Sequence, residues 1–531
     1  MGTIDNDNEL FNKLKNLLSD NQIGYGLDFG TFRSMMAFKN ANLPVPQAAL
    51  YEDITIRNGI PSLFWYSDTR KQEYVCEDVL YHNGLLDDPD GVCSSVKMKF
   101  EEDIVLNGKH YTAKYIAEQI IRRVIKDSHA ALKEQLFEEP SYNKLVVGVP
   151  VRFGAAIRRD YLNVLRSATN NKNIILLPEP IAAAITYSKY EKTKDKKILV
   201  FDLGAGTFDT VLLIPNKKRT KKNPYAFIPC NPDGLPIAGD YFDIKMAEII
   251  LQKIKDSNSD IDFKKISNIN SIDYRRLLTT SRKAKEKLST EKMCTEMIEG
   301  TTTKGKPCLQ MITVYREEFE KAIAPLLMQV IDCAYDVLVR SKEQNSKDID
   351  IILVGGSSYI PLVREMIKRK FTLIRNNVFQ RLPEQAVALG CAIYANDELC
   401  DTPVAFAYAI GTHLKSSNKD ILEVIIPSNV NCPMKKKMTY KTRHKGQDSI
   451  EFIFFELDYG DENEVLDVDE GKITPIKVTH SFTKKVPLET PVDVIVELSK
   501  EGILTVIIDD KGITRLDRQI IDISNLSMGD I

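Results

Sequence analysis

The chain has almost no net charge, no paired-cysteine motif and no long apolar run. Its 531 residues include 72 Lys and Arg against 74 Asp and Glu, a formal charge of -2, so the average offers no attraction for a polyanion and nucleic acid is not implied. Nine cysteines are scattered without a CxxC pair or a local His/Cys cluster. That sets a disulfide scaffold aside and fits a reducing, cytoplasmic compartment with most thiols buried as small hydrophobes. The first twenty residues mix acids, lysines and asparagines unlike a signal peptide, and no run reaches the roughly 18 apolar residues of a bilayer span. No membrane is therefore expected. A Walker A sequence is missing too, as is a kinase glycine loop with its catalytic signature, which disfavours those two phosphate-transfer architectures.

What is present is enough apolar material, 43% of the chain, for real cores, in a length that calls for two or more domains. Leu10, Leu14, Leu17 and Leu18 share a helical face with Phe11 beside it, either a docked or frayed N-terminal extension or a partner-binding helix. Gly24 to Gly30 then reads as a strand, followed by a tight turn and a second strand through Met35–Phe38. Helical periodicity covers 111–136, a buried strand Lys144–Pro150, and helical signals 155–168 and Pro178–Ile185. Strand, helix, strand, helix favours an α/β fold.

Ile198–Gly204, a small turn, and Thr210–Ile214 repeat the first hairpin in pattern: apolar residues, Asp, one apolar residue, Gly, then Thr-Phe and another strand. Asp202 follows Asp28 by 174 positions, a spacing that suggests two related subdomains facing each other rather than a short-period repeat. Lys217–Lys222, with five basic residues in six positions, reads as a solvated loop. Helices are expected over 240–256 and 274–290, a buried strand over Ile349–Gly356, a helix starting at Pro361, and a closely packed helix over Ala386–Ala395. After Asn396 the texture alternates in the β manner, as in Glu451–Leu457, Val492–Leu498 and Ile503–Ile508, which implies a sandwich or barrel-like module. The acid-rich stretch 456–470 reads as a solvated loop, with a basic partner or a cation as the lesser alternative.

Phosphate transfer needs backbone NH groups around phosphate oxygens, a divalent ion and a positioned water. Gly30-Thr31 and Gly204-Ala205-Gly206-Thr207 suit such a cradle. Asp28 and Asp202, ending buried strands, suit a hydrated magnesium ion, because they would repel a phosphate directly. One Asp-x-Gly after a strand is commonly just a turn. Two of them, with Gly355-Gly356-Ser357 after a third strand, are not an ordinary coincidence in an α/β sequence.

These residues carry a resemblance. GLDFGTFRS from Gly26, VGVPVRF from Val147, LPEPIAAAITY from Leu177, VFDLGAGTFD from Val200, IAGDYFD from Ile237, ILVGGSSYIPLV from Ile352 and PEQAVALGCAI from Pro383 resemble, in order, the motifs of the Hsp70 chaperone family. The resemblance implies a two-lobed actin-like ATPase domain of duplicated ribonuclease H-like subdomains over 23–396, after an extension at 1–22. A linker at 397–402 would lead to a β-sandwich peptide-binding-like domain at 403–531, where the likeness is weaker. The implied ligands are ATP or ADP, Mg2+ and K+. The implied partners are an extended or unfolded polypeptide, or one dedicated protein, together with a nucleotide-exchange or co-chaperone protein.

By resemblance, Asp28, Asp202 and Glu179 would serve the metal. Thr31, Phe32 and Thr207 would lie by the phosphates, with Gly30 and Gly204–Thr207 wrapping the phosphate tail and Asp209 behind the water network. Glu179 would reach the cation shell or the attacking water, Lys97 would be the catalytic lysine with Lys99 as its substitute, and Pro150 and Arg158 would form an interdomain switch. Gly239, Asp240, Gly355, Gly356 and Ser357 would line the cleft.

The nucleoside pocket departs from the family: Arg282, Lys285 and Glu286 stand on the helix that usually carries an acid, a Lys and an Arg, and Tyr359 replaces the second base-stacking arginine. The linker lacks the family's leucine run, and the sequence after the β part is too short for a long helical lid. A polypeptide-binding ATPase and a nucleotide-dependent scaffold with weak turnover both fit these residues. A metabolic kinase on the same fold fits less well, because of the β-rich tail.

Overall fold

The computed structural model describes residues 23–40, 45–51, 59–136, 139–151, 153–191, 195–216, 227–257, 259–397, 403–404, 407–414, 419–427, 430–431, 433–457, 465–467, 476–499, 503–511 and 519–522. The N-terminal helical signal, the basic run 217–222 and most of the expected linker, 398–402, fall outside these residues.

The two Asp-Gly hairpins head two sheets of the same topology. In the first, strand Ile23–Asp28 pairs antiparallel with Arg33–Asn40 and parallel with Leu145–Val149, which pairs parallel with Ile174–Pro178; Gln47–Ala48 flanks the outer side. In the second, Lys197–Leu203 pairs antiparallel with Phe208–Pro215 and parallel with Ile349–Val354, with Phe227–Leu235 and Val378–Gln380 at the edges. Numbered along the chain, each sheet runs third, second, first, fourth, fifth. The repeat seen in the residues is thus a repeat of architecture, and the expected α/β fold is present.

Each sheet has its own core. The first packs Tyr25, Leu27 and Val147 against Ile116, Ile120 and Val124 of helix Ala113–Leu136 and against Tyr161 and Leu165 of helix Ala155–Thr169. The second packs Leu199, Phe201 and Ile351 against Phe242 and Met246 of helix Gly239–Asp256 and Leu327, Val330 and Ile331 of helix Arg316–Arg340. Between the sheets lie helices Glu179–Glu191 and Ala386–Asn396, whose apolar residues join Val146 of one sheet to Val200 and Val354 of the other. Their approach needs small residues: a Cβ at Gly26 would stand 2.1 Å from the Ala388 carbonyl oxygen, and one at Gly390 only 1.8 Å from that of Ala182. Ala-rich helices and bare glycines let the two lobes share a dry seam.

Several elements have no counterpart in the expectations, among them a ribbon and a long helix. Met293–Thr301 and Pro307–Tyr315 form a two-stranded ribbon, and Arg316–Arg340 is one continuous helix of 25 residues. Pro325 inside that helix removes a hydrogen-bond donor and argues against continuity. Burial of Phe319, Ile323, Leu327, Val330 and Val337 in the second core overrides it. By length and composition alone this helix could cross a membrane, yet its apolar side is spent on the core.

The C-terminal part is β-rich, as expected. A sheet of Val465–Asp467, Lys419–Ile426, Ala407–Leu414, Gln447–Leu457 and Ile476–Val486 faces a second of Met434–Lys441, Pro491–Leu498, Leu504–Asp509 and Gln519–Asp522. Phe452, Phe454 and Val478 from one and Val492, Val494, Val496 and Val506 from the other make a common core. The acidic stretch is corrected in two places. Glu456 and Leu457 end a strand, and Val465–Asp467 pairs with Ile421–Glu423, because a sheet edge with open backbone groups takes even an acidic segment as a partner. Residues 458–464 and 468–470 lie outside the described residues.

Candidate functional site

Where the two hairpins face each other, their turns touch: a Cβ on Gly206 would sit 3.6 Å from the Thr31 methyl. Asp28 and Asp202 end the first strand of each sheet at the floor of this cleft, and Asp209 stands opposite Asp202 in the ladder. Gly355 enters the same floor with φ +80, and a Cβ there would be 2.7 Å from Asp202 Oδ1 and 2.4 Å from the Leu203 carbonyl. Only glycine tolerates both that torsion and that crowding.

Lys97 reaches the floor from the short turn Val96–Lys99. Its Nζ donates to Glu179 Oε1 at 2.5 Å, with the lysine 4% and the glutamate 17% exposed. Lys99, the other candidate, is exposed. Glu179 opens its helix, whose N-terminal end favours a carboxylate. Lys97 is thus the ammonium that Asp28, Glu179 and Asp202 have in common. Burial pushes the Asp28 carboxyl up to about 7, with Lys97 lowering it and Glu179 raising it. Asp202 is driven well above the carboxylate range by burial, then by Asp209, Glu179 and Asp28, against Lys97. Lys97 ends above its usual range, since Glu179 and Asp28 outweigh the burial that opposes its charge. Three carboxylates around one ammonium leave surplus negative charge in a poorly solvated place.

The second turn is braced from behind. Gly239 and Asp240 donate their backbone NH groups to the carbonyls of Gly204 at 3.2 Å and Ala205 at 2.7 Å, and Ser357 Oγ donates to the Gly204 carbonyl at 2.7 Å. Within the loop the Gly204 NH donates to the Thr207 carbonyl at 3.1 Å, and these contacts together leave the NH groups of Ala205, Gly206 and Thr207 for a ligand. Gly356 lies against Glu384, whose carboxylate a Cβ there would meet at 2.8 Å.

Beside this loop, helix Ile272–Leu288 presents Arg282 one turn before Lys285 and Glu286. Arg282 Nε donates to Asp243 Oδ2 at 2.8 Å and its NH2 to Asp240 Oδ1 at 3.1 Å, while its guanidinium lies 4.3 Å over the Phe32 ring. Lys285 is buried, 2.7 Å from Asp243 Oδ1 and donating to the Gly239 carbonyl at 3.1 Å. Glu286 is exposed, and Tyr359 is 44% exposed, its hydroxyl held up by burial and Glu384.

The predicted residues therefore fall into three groups around one cleft: the acid floor, the braced loop, and a helix whose cations are engaged with protein. Three contributors lie outside the prediction. Asp243, 1% exposed, anchors both Arg282 and Lys285; its signal is an acid one turn after Asp240. Arg33 donates to the Gly59 carbonyl at 2.8 Å, is held down by burial, and lies in the field of Glu286, Glu384 and Arg282. Glu384 is raised by burial, then lowered by Arg33 and raised by Glu286.

Pro150 and Arg158 flank a turn that leaves the first sheet at the same end as Asp28 and Glu179, since Leu145–Val149 runs parallel to both neighbouring strands. Arg158 is 2% exposed and donates to the Phe153 carbonyl at 2.7 Å. Gly154 of this turn lies so near the β-rich part that a Cβ on it would meet Glu456 Oε1 at 2.3 Å, and Ile503 packs against the first lobe's core.

Comparison with known proteins bears on this arrangement. The family model described as Hsp70 protein matches residues 88–528. The chain is similar to the chaperone protein DnaK of Mycoplasmopsis agalactiae, 25% identical over 511 residues that cover 94% of this chain and 79% of the relative. It is also similar to DnaK of Thermotoga neapolitana, 26% identical over 462 residues, 81% of this chain and 70% of the relative. A third relative is the chloroplastic heat shock 70 kDa protein 7 of Arabidopsis thaliana, 28% identical over 415 residues, 76% of this chain and 53% of the relative.

Proposed function

The chain belongs to the Hsp70 family of chaperones, and on that premise we propose that it binds ATP with Mg2+ in the cleft between the two hairpins and hydrolyses it slowly to control its hold on extended polypeptides. The observation that carries this reading is the convergence of Asp28, Glu179 and Asp202 on Lys97 at the point where both glycine turns meet. We assign the nucleotide to residues 23–396, the polypeptide to the β-rich residues 403–531, and the coupling to 397–402 and the Pro150–Arg158 turn, with 1–22 as an extension.

Magnesium fits the residues present. Among the described residues no three His, Cys, Asp or Glu side chains converge closely enough to ligate an ion, so Asp28 and Asp202 would hold it through its waters. The surplus negative charge on the floor is what a divalent cation would relieve. When bound, it would neutralise phosphate oxygens. The chain's own residues would do the rest. Backbone NH groups of Gly30–Thr31 and Ala205–Thr207 would cradle the phosphates, with Gly204 closing the loop through Thr207 and the Thr31 and Thr207 hydroxyls beside them. Glu179, oriented by Lys97, would accept a hydrogen bond from the attacking water, and Lys97 would direct its remaining N–H groups at the terminal phosphate. Potassium would serve as an accessory ion, and the free cysteines favour a reducing, cytoplasmic setting.

Single-turnover hydrolysis with and without an unfolded peptide tests the proposal. Cleavage that responds to peptide, and that Asp202→Asn lowers at least about 100-fold, is the expected result. No saturable ATP binding with magnesium overturns it.

A second reading, a nucleotide-dependent scaffold for one dedicated partner with weak turnover, is favoured by one observation. Arg282 and Lys285 are engaged by Asp240, Asp243 and Phe32 where a nucleoside would need them. Unchanged ATP after prolonged incubation, with binding retained, selects this reading.

A further inference from the structure

Strand Met434–Lys441 sets three of its lysines beside acids: Lys435 with Glu497 and Lys437 with Asp493 at 2.8 Å on the neighbouring strand Pro491–Leu498, and Lys441 with Glu489 at 3.8 Å in the turn before it. Just beyond it the pattern stops. Arg443, His444 and Lys445 in the loop before Gln447, and Lys484 and Lys485 on strand Ile476–Val486, are all exposed. Among the described residues, Arg443, Lys445, Lys484 and Lys485 have no carboxylate within ion-pair distance. The acids nearby are engaged, Glu489 by Lys441 and Asp448 by Ser449 Oγ at 3.2 Å.

The fold brings these two basic segments together. Gly446 donates its NH to the Val486 carbonyl at 2.8 Å, and a Cβ on it would lie 3.9 Å from the Lys485 side chain. The loop is held in shape, since the backbone NH groups of Arg443 and His444 both point to Gln447 Oε1, at 3.0 and 3.3 Å. On the facing strand the register passes from Ser449 opposite Ser481 to Gln447 opposite Val486. Residues Phe482–Lys485 therefore bulge out of the ladder, and a bulge re-aims the side chains it carries. Strand Ile476–Val486 is also a sheet edge, paired among the described residues with Gln447–Leu457 alone.

We propose that this basic strip, on the edge of the C-terminal sheet, docks an extended acidic polypeptide segment. Lysines at a sheet edge also deter unwanted strand pairing. That role accounts for Lys484 and Lys485 and leaves the ordered Arg443–Lys445 loop unexplained. A polypeptide fits better than a nucleic acid: the edge offers backbone groups to a strand, Leu488, 56% exposed, adjoins it as an apolar contact, and no Phe, Tyr or Trp on the strip offers a stacking face for a base. The proposal rests on the reading that the β-rich part holds polypeptide, and adds to it a charge preference in the client.

Fluorescence anisotropy of the full chain with three labelled decapeptides tests it, alternating Val with Glu, with Lys or with Gln, at low and moderate salt. The Glu peptide should bind at least tenfold tighter than the Lys peptide, and rising salt should narrow the gap. Lys484→Glu with Lys485→Glu should abolish that preference, as should Arg443→Glu with Lys445→Glu, with the melting temperature unchanged because all four side chains are exposed. Equal affinity for the three peptides, or a preference that survives both double variants, overturns the proposal and leaves the polypeptide reading standing. No binding of any peptide overturns both. An oligothymidylate of matching charge that displaces the Glu peptide at equal concentration overturns the choice of polypeptide.

Discussion

Arg282 lays its guanidinium over the ring of Phe32 at 4.3 Å, and the two side chains come from opposite lobes, Phe32 from the turn of the first hairpin and Arg282 from a helix of the second lobe. Asp243 fixes the arginine from behind at 2.8 Å, so the lobes touch directly beside the cleft. A desolvated cation on an aromatic face contributes about 1 kcal/mol. Phe32→Leu and Arg282→Met should each lower stability, and the double variant should lose less than the sum by about that amount, measured as a double-mutant cycle on denaturant unfolding. Strict additivity would mean that the contact carries no energy.

Among the described residues, Lys97 is the one ammonium on a floor of three carboxylates. Lys97→Met should destabilise the metal-free protein by roughly 3 kcal/mol, the scale for removing one partner of a buried ion pair. Magnesium with ADP should recover more of the lost melting temperature in the variant than in the parent, because it supplies the missing positive charge. Chelation should undo that recovery. Equal shifts in both proteins would place the ion elsewhere.

Asp28 sets a pH dependence whose sign is fixed. Its folded carboxyl titrates at about 7, against an ordinary value near 3.9 in the unfolded chain. Between those values the unfolded chain gives up its proton while the folded chain keeps it, so stability falls as pH rises from about 4 to 7 and then levels. The contribution is on the order of a few kcal/mol, and Asp202, raised in the same direction, adds to it. Thermal unfolding of the metal-free protein at pH 5, 6, 7 and 8 should show the decline, and Asp28→Asn should make it shallower, leaving the part that Asp202 contributes. A variant whose profile parallels the parent would remove Asp28 as the cause.

The acid floor and the glycine turns were legible because both are local. Asp, Gly and Thr sit within a few residues of each other, and the torsions and strand ends they need are written in that spacing. Lys97 and Glu179 lie 82 positions apart, and no local pattern joins them; the resemblance did. Asp243 stands one turn after Asp240 with nothing local to mark it, and only the pairing of its helix with Ile272–Leu288 shows that it anchors two cations. Helix Arg316–Arg340 carries its apolar residues at helical spacing, yet Pro325 disguised it. The paired residues Gly154 and Glu456 belong to different halves of the chain, a relation that no periodicity can carry.

That last pair makes the coupling between the halves testable. A Cβ on Gly154 would press on the carboxylate end of the Glu456 side chain at 2.3 Å, a clash with a side chain rather than with backbone. Gly154 has φ -65, a torsion any residue accepts. Gly154→Ala should therefore change stability by less than about 1 kcal/mol while displacing Glu456 from the turn that leads to Arg158. If this contact transmits the state of the cleft to the β-rich part, peptide should stimulate ATP cleavage several-fold less in Gly154→Ala than in the parent, with basal turnover and ATP affinity unchanged. Glu456→Ala removes the clash partner, so adding it to Gly154→Ala should cause no further loss. Full peptide stimulation in Gly154→Ala would show that the signal travels by another route, leaving the 397–402 segment as the carrier to test next.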